Sequence, residues 1–179
     1  RKRCSQKPGA WYNHKAVIPL EIRLVQLSPP KDTNIILGQS HFIKTVEDLH
    51  EAIISTVPGA SFGLAFCESS GPCLVRSTGN SDELKKSAED LAFQIGAGHS
   101  FVVLLKNAYT INVLSRIRDV PEVVSIYAAT ANPLQVVVAE SEQGKGILGV
   151  IDGSSPKGKE TEKDVSDRKQ FLRKMGYKL

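Results

Sequence analysis

The apolar run at residues 101–105 constrains the fold of this chain more than any other segment. Its sequence, FVVLL, is apolar without interruption, which is typical of a central strand buried on both faces of a sheet. Segments on either side alternate between the periodicities of strands and helices. A chain of 179 residues can also bury a substantial core. The pattern predicts an α/β fold: a single compact domain in which helices pack on a mixed β-sheet, with β-hairpins.

Eight strands are predicted, and the alternation of side chains assigns an inward face to the first of them. Residues 20–27 alternate apolar and polar side chains, which places Leu20, Ile22 and Leu24 on the inward face. A longer loop joins two neighbouring strands into a hairpin around residues 68–72. The strands are predicted at residues 20–27, 35–37, 62–67, 73–77, 101–105, 120–128, 134–139 and 147–151.

Four helices are predicted between these strands. Thr45 is the expected N-cap of the first helix, with Asp48 as its acidic partner. Residues 80–82 cap the second helix, and Gly96 lies where a C-terminal glycine belongs. The third helix covers residues 111–117. The last covers 164–174, with Val165, Phe171 and Leu172 facing the body.

The net charge of +4 comes from one end of the chain. Residues 1–16 carry five basic side chains and no acid, which leaves 18 of the 23 basic residues against 19 acidic ones. We therefore expect residues 1–16 to be a disordered basic tail, derived from a leader or an expression vector, and residues 17–179 to form the domain. Because that domain is close to neutral, the sequence does not support a nucleic-acid partner.

Cysteine content and hydropathy indicate the compartment. Cys4, Cys67 and Cys73 are few and odd in number, which favours a reducing compartment over a disulfide scaffold. No apolar run reaches the roughly 18 residues that a membrane span needs. A cytoplasmic protein without membrane contact is the prediction.

Two glycine patterns resemble nucleotide-binding motifs but lack their context. Residues 144–149, GKGILG, match G-x-G-x-x-G, yet a strand pattern continues through them where the fingerprint requires a helix. We expect a hairpin turn there. Residues 153–159 match the start of a phosphate-binding loop, but Glu160 replaces the required hydroxyl residue and Pro156 lacks an amide donor. That segment is predicted to be a solvated loop.

His41 is the first candidate catalytic residue. It follows a short strand and precedes a helix whose N-terminus attracts anions, with Lys44 adding positive charge nearby. Imidazole is a good nucleophile near neutral pH, and Ser40, Lys44 and the helix amides could hold a phosphoryl group beside it. The alternative is a histidine packed under the loop that donates to a backbone carbonyl.

His99 is the second candidate. It follows the end of the second helix, where the helix dipole favours the charged and therefore less nucleophilic imidazole. The alternative is a histidine that caps the helix carbonyls. Local electrostatics thus favour His41 slightly over His99. The other two histidines, His14 in the tail and His50 on the first helix, are expected to be solvated.

Polar residues at strand ends are further candidates, because ligands of α/β sheets bind there. Amide side chains can read a nucleobase edge, aromatic rings can stack on it, and carboxylates can bind Mg²⁺. The predicted nucleotide-binding residues are Gln39, Ser40, Phe42, Tyr109, Thr130, Asn132, Gln143, Gly144 and Lys145, and the candidate metal ligands, without ligand spacing, are Glu68, Glu142 and Asp152.

Six blocks of this sequence together resemble the adenosine-specific kinase family. The resemblance runs from about residue 20 to the C-terminus and leaves out residues 1–16. The blocks are GQSHFIKTVEDL (38–49), FGLAFCE (62–68), IGAGHSF (95–101), ATANP (129–133), EQGKGILGVIDG (142–153) and RKMGY (173–177).

The resemblance implies a small α/β domain that assembles as trimers or hexamers and binds adenosine and its nucleotides AMP, ADP and ATP. It also implies a histidine able to carry a phosphoryl group, without deciding between His41 and His99. The resulting hypothesis is a phosphotransferase for adenosine or AMP that works through a phosphohistidine, with ATP or another phosphoryl donor and Mg²⁺. The alternatives are a non-catalytic adenine-nucleotide sensor or regulatory protein, and a purely structural protein.

Overall fold

A computed structural model describes residues 18–179 as two antiparallel sheets with helices around them. The predicted tail, residues 1–16, lies outside the described residues. The elements in chain order are β1 Glu21–Leu27, β2 Asn34–Ser40, α1 Thr45–Thr56, β3 Ser61–Cys67, β4 Val75–Gly79, α2 Asp82–Ile95, β5 Ser100–Lys106, α3 Thr110–Arg118, β6 Val123–Thr130, β7 Leu134–Ser141, β8 Gly144–Asp152 and α4 Glu162–Lys174.

The α/β class is confirmed, with a different arrangement of strands from the single mixed sheet that was expected. The larger sheet has the order β4-β3-β5-β2-β6, and a smaller sheet has the order β1-β7-β8. Within residues 18–179, every pairing between named strands is antiparallel. The apolar run forms β5 at the centre of the larger sheet, where residues 101–105 are buried as predicted.

Two hydrophobic cores lie on opposite faces of the larger sheet. One face packs under α1 and α3, and this core includes Phe62, Phe66 and Phe101. The other face packs against α2 and the smaller sheet. β1 reaches that position by pairing with β7, more than 100 residues away in the sequence, in the register Leu27 to Leu134. Such a pairing leaves no trace in local periodicity.

The inward face of β1 is the opposite of the predicted one. Leu20, Ile22 and Leu24 are 62%, 63% and 55% exposed, while Leu27 is 2% exposed and Val25 packs against the core. Alternation fixes which side chains share a face, but the partner strand decides which face is buried. Here Leu27 and Val25 pair with the buried Leu134 and Val136 of β7, so the other set points outward.

Helix ends confirm one prediction and correct another. Ser81 caps α2 by accepting from the Leu84 amide, and Gly96 ends this helix with a left-handed φ of 62°. α1 instead begins at Thr45 with Lys44 in the cap position and no side-chain cap. Thr45 is fully buried and its hydroxyl bonds neighbours in the preceding turn, so it cannot cap the helix.

The C-terminal segments complete the fold. Phe171 of α4 is 59% exposed, so its predicted packing against the body is wrong, whereas Val165 and Leu172 are half-buried. The glycine-rich residues 144–149 lie in the β7–β8 hairpin, as expected, and residues 154–161 are irregular and exposed. No helix among residues 18–179 is long and apolar enough to cross a membrane.

Candidate functional site

One end of the larger sheet collects polar residues from four strands. Because neighbouring strands are antiparallel, the ends of β2 and β3 lie beside the starts of β4 and β5. The Ser40 amide donates to the His99 carbonyl at 3.0 Å, and the His99 amide donates to the Cys67 carbonyl at 2.8 Å. The segments that carry His41, His99 and Glu68 are therefore hydrogen-bonded neighbours. We call this region the sheet-end cluster: His41, Lys44, Glu68, Arg76, His99 and Glu122.

His99 is held between an aromatic ring and a carboxylate. Its backbone has a left-handed φ of 61°, which is uncommon outside glycine. The imidazole stacks on Phe66 with 5.8 Å between ring centroids and 8° between planes, and Nε2 lies 3.7 Å from Glu68 Oε1. The ring thus contacts Phe66 and Glu68, whereas Gly96 ends α2. A helix-capping role for His99 does not agree with these contacts.

Glu68 is an ionised, hydrogen-bonded carboxylate beside His99. Its Oε1 accepts from the Ser69 amide at 3.0 Å, the Ser70 amide at 3.3 Å and the Ser70 hydroxyl at 3.0 Å. Desolvation opposes ionisation, but these hydrogen bonds and the charge of Arg76 outweigh it and lower the pKa of Glu68. A carboxylate next to an imidazole can orient the ring and stabilise its charged form.

A close contact between two loops makes this pairing possible. A Cβ atom at Gly98 would lie 2.3 Å from Ser69 Oγ, so a larger residue there would require the Ser69 hydroxyl to rotate away from the loop before His99. The two loops cannot separate without moving His99 away from its carboxylate.

The turn that carries His41 is anchored by buried hydroxyl groups. Ser40 is 1% exposed, and its Oγ lies 2.9 Å from Thr45 Oγ1, which also donates to the Phe42 carbonyl at 2.5 Å. The His41 amide donates to the Glu122 carbonyl at 3.1 Å. His41 itself is exposed, as is Phe42, whose ring centroid lies 6.3 Å away.

Lys44 forms ion pairs with two carboxylates. Its Nζ lies 2.6 Å from Asp48 Oδ2 and 2.6 Å from Glu122 Oε1, and Glu122 is buried. The hydrogen bonds to Asp48 and then Glu122 raise the pKa of Lys44 strongly. The three groups together carry a formal charge of −1, so they do not present free positive charge to an anion. A contact of Lys44 with a phosphoryl group stays a prediction.

An open cleft of about 880 Å³ adjoins the sheet-end cluster. It lies between the loop after β3 and the β7–β8 hairpin, and its lining includes Glu68, Gly98, Gln143, Gly144 and Lys145. Lys145 is bridged to Ala97 and its Nζ lies 3.7 Å from Glu140 Oε1. Residues from three separate sequence blocks thus meet around one cavity.

Comparison with known proteins identifies the family. The family model for adenosine-specific kinase matches residues 25–178. This chain belongs to the adenosine-specific kinase family. It is also similar to the PH1918 protein from Pyrococcus horikoshii OT3, whose crystal structure aligns with a TM-score of 0.86 at 44% sequence identity, covering 90% of this chain and 99% of that one. No curated protein sequence matches the chain.

Some of the predicted site residues lie at the opposite end of the sheets from the sheet-end cluster. Asp152 Oδ1 accepts from Thr130 Oγ1 at 2.8 Å and from Asn132 Nδ2 at 3.0 Å, so these three bind one another. Tyr109 borders a second cleft of about 750 Å³, which Asn34 and Asn107 also line. For this member of the adenosine-specific kinase family, the two groups of predicted residues do not share one pocket.

The candidate metal ligands are not brought together either. Glu68 borders the first cleft, whereas Glu142 and Asp152 flank opposite ends of β8, roughly 30 Å apart for a strand of this length. Residues 18–179 contain no group of three or more His, Cys, Asp or Glu side chains placed to hold a metal ion. These three carboxylates therefore do not form one site in the described part of the chain, and Mg²⁺ binding by any one of them stays a prediction.

Two members of the sheet-end cluster could not be found from the sequence. Arg76 and Glu122 look like ordinary surface residues in the sequence, and only the strand pairing reveals their partners.

The structure also gives partners to other residues that the sequence singled out. Gln39, predicted to bind nucleotide, accepts from the Tyr127 hydroxyl at 2.7 Å. His50 is not solvated as expected: its Nδ1 lies 2.8 Å from Thr78 Oγ1 and its ring contacts Phe62. His14 lies outside the described residues.

Proposed function

We propose that this protein transfers a phosphoryl group to adenosine or AMP through a phosphohistidine. The observation that carries the proposal is the convergence of two histidines, an ionised carboxylate and an open cleft at one end of the larger sheet. Membership of the adenosine-specific kinase family supplies the substrate class. A nucleophilic histidine requires an accessible ring and a partner that stabilises its positive charge, and the sheet-end cluster offers both.

The geometry supports His99 as the nucleophile, against the slight preference for His41 from sequence. His99 has Glu68 as a carboxylate partner, and both Glu68 and the neighbouring Gly98 line the cleft. His41 has no free positive charge from Lys44 beside it, because Asp48 and Glu122 neutralise that charge. His41 is the second candidate, because it is exposed beside the same cluster.

The proposed reaction proceeds in two balanced steps. Nε2 of His99 faces Glu68, so the lone pair of Nδ1 attacks the terminal phosphorus of ATP or another donor. A P–N bond forms, the P–O bond to the leaving group breaks, and Glu68 stabilises the positive ring. In the second step an oxygen of the acceptor, a hydroxyl of adenosine or a phosphate oxygen of AMP, attacks phosphorus from the side opposite Nδ1. The P–N bond breaks and its electron pair returns to Nδ1, which regenerates the imidazole, and the proton of an attacking hydroxyl is released to solvent.

The cleft rim supplies groups for the nucleotide. Gln143 can bond a base edge through its amide, Gly144 allows close backbone approach, and Lys145 places positive charge near the phosphates. Mg²⁺ that arrives with the donor would neutralise phosphate charge, but Glu68 is engaged through Oε1 with Ser69, Ser70 and His99 and through Oε2 with Arg76, so it is not proposed as a ligand of that ion. Lys145 is the one basic residue among the described residues that line the cleft, so it is central to phosphate binding.

We also propose that the protein acts as a homo-oligomer, a trimer or hexamer, in the cytoplasm. Ile22, Leu24 and Leu148 are exposed on the outer face of the smaller sheet, and apolar surface of this kind is typical of subunit interfaces. Cys67 and Cys73 are free thiols, which fits a reducing compartment.

A non-catalytic adenine-nucleotide sensor is the second candidate function. It is favoured by one observation: Lys44, which would assist phosphoryl transfer at His41, is already paired with Asp48 and Glu122. The same cleft would then bind nucleotide without reacting.

Phosphorylation of the protein by labelled ATP tests the proposal. We expect an acid-labile, base-stable phosphate that mass spectrometry maps to His99, and that is absent from His99→Ala but present in His41→Ala. His50→Ala is the matched control, because His50 lies away from the cluster and bonds Thr78. Label that disappears only in His41→Ala would move the reaction to His41. A wild-type protein that binds AMP, with a raised melting temperature, but never becomes labelled is a sensor.

A further inference from the structure

We propose that Arg76 is a positioning residue that links the His41 turn to the His99–Glu68 pair, so that both histidine segments form one site. The inference rests on the proposed function, since it gives Arg76 a task in phosphoryl transfer. It concerns a residue of β4 that carries no motif in the sequence. The geometry assigns this task through contacts on three sides of the guanidinium group.

On one side, Arg76 binds the turn that carries His41 directly and reaches the His99 segment through Glu68. Its Nη2 donates to the Ile43 carbonyl, which belongs to the turn between His41 and α1. The same nitrogen lies 3.6 Å from Glu68 Oε2, while the other carboxylate oxygen of Glu68 faces His99. Glu68 therefore stands between Arg76 and His99, with one oxygen toward each.

A second contact runs through Phe66. Arg76 pairs with Phe66 across β4 and β3, and its Cζ lies 5.5 Å from the ring centroid, a cation–π distance. The Phe66 ring is also the surface on which His99 stacks. Planar guanidinium can bind a ring and a carboxylate at once, whereas a lysine ammonium matches neither geometry as well.

The surrounding charges make Arg76 the main cation beside Glu68. The charged or titratable groups facing Glu68 are Arg76 from β4 and His99 from the start of β5, with Lys145 across the cleft. Arg76 in turn faces Glu47 of α1 at 3.9 Å, a longer and more exposed contact. Lys44 is held by Asp48 and Glu122. The positive charge of Arg76 contributes to the lowered pKa of Glu68.

The experiment compares Arg76→Gln, Arg76→Lys and the matched control Glu47→Gln. Glu47→Gln removes the other carboxylate partner of Arg76 and leaves the contacts to Glu68, Phe66 and Ile43 in place. Circular dichroism first establishes that each variant is folded. The initial rate of protein labelling by ATP is then measured across pH 4.5–9, together with AMP binding by calorimetry.

We expect Arg76→Gln to lower the labelling rate about tenfold or more, the loss typical of one charge-assisted hydrogen bond, and to move the acidic limb of its pH profile upward. The upward direction follows because Glu68 without its cation binds a proton more readily. Arg76→Lys should restore the position of the acidic limb but not the full rate, and AMP affinity should change much less. Glu47→Gln should resemble the wild type. An Arg76→Gln profile that coincides with the wild type in rate and pH would overturn the inference.

A measurement without turnover separates this inference from the proposed function. NMR titration of the Glu68 side-chain carboxyl carbon reports its ionisation in each variant. We expect the midpoint to rise in Arg76→Gln and to stay unchanged in Glu47→Gln. If the wild type is never labelled, the proposed function fails. The titration then still tests the role of Arg76, because an unchanged Glu68 midpoint in Arg76→Gln refutes that role.

Discussion

The buried hydroxyl pair beneath the His41 turn gives a quantitative prediction. Thr45→Val keeps the shape of the side chain and removes its hydroxyl, so no cavity forms. The change breaks the contact with Ser40 Oγ at 2.9 Å and the hydrogen bond to the Phe42 carbonyl at 2.5 Å. Because Ser40 is 1% exposed, water cannot replace the lost partner of its hydroxyl group.

The magnitude follows from these two contacts. A net hydrogen bond contributes about 1 kcal/mol, and a buried group left unpaired costs about 1–3 kcal/mol. We therefore expect Thr45→Val to lower the free energy of unfolding by about 2–3 kcal/mol. For a domain of this size that corresponds to a decrease in melting temperature of roughly 4–12 °C.

Urea unfolding monitored by circular dichroism at fixed protein concentration measures this change. Thr56→Val is the matched control, because Thr56 is exposed at the end of the same helix and its hydroxyl, which donates to the Ala52 carbonyl, leaves no buried hydroxyl unpaired when it is removed. The control should lose less than about 0.5 kcal/mol. The double variant Ser40→Ala/Thr45→Val should cost about 1 kcal/mol less than the sum of the single variants. A Thr45→Val protein as stable as the control, or strictly additive losses, would refute the reasoning.

Three further predictions concern the loops and the cores. Gly98→Ala should lose no more than about 1 kcal/mol in thermal unfolding, because the Ser69 hydroxyl that its Cβ would approach to 2.3 Å can rotate away, and Ser69→Ala should remove this loss. Leu27→Ala should cost about 2–5 kcal/mol in chemical unfolding, and a loss below about 0.5 kcal/mol would contradict the assignment of the β1 faces. Burial raises the pKa of the Cys67 thiol, so with the other cysteines replaced by serine its reaction with a disulfide reagent should be slow at pH 7 and accelerate as pH rises.

The fold class could be predicted because it depends on local periodicity. The uninterrupted apolar composition of residues 101–105 predicts a strand that is buried on both faces of the sheet. The helix that ends at Gly96 has standard capping residues. The division into two sheets could not be predicted, since it depends on the pairing of β1 with β7. The same pairing decides that Leu27 is buried and Leu24 is not.

In the candidate site, too, residues with a local sequence signal could be predicted and residues defined by long-range strand pairing could not. Glu68 and the loop of His99 were found because they follow or precede strands in the sequence, where ligands of α/β sheets are bound. Arg76 lies inside a strand, so its position carries no such signal. Glu122 does precede a strand, but it lies outside the six sequence blocks that resemble the family. Their partners, Glu68 and Lys44, are distant in sequence and meet them only in the folded sheet.

The charge balance at the sheet end defines what a phosphoryl donor must bring. Each cation there has two carboxylate partners: Asp48 and Glu122 for Lys44, and Glu47 and Glu68 for Arg76. The six groups sum to a formal charge of −2, so the sheet end repels an isolated triphosphate. Arg76 and Lys44 hold the two histidine segments in place and have no spare charge for the donor. The compensating positive charge must come from Lys145 across the cleft or arrive with the donor as a divalent cation. The sheet-end cluster therefore contributes to phosphoryl transfer by positioning the histidines and not by attracting the anionic donor.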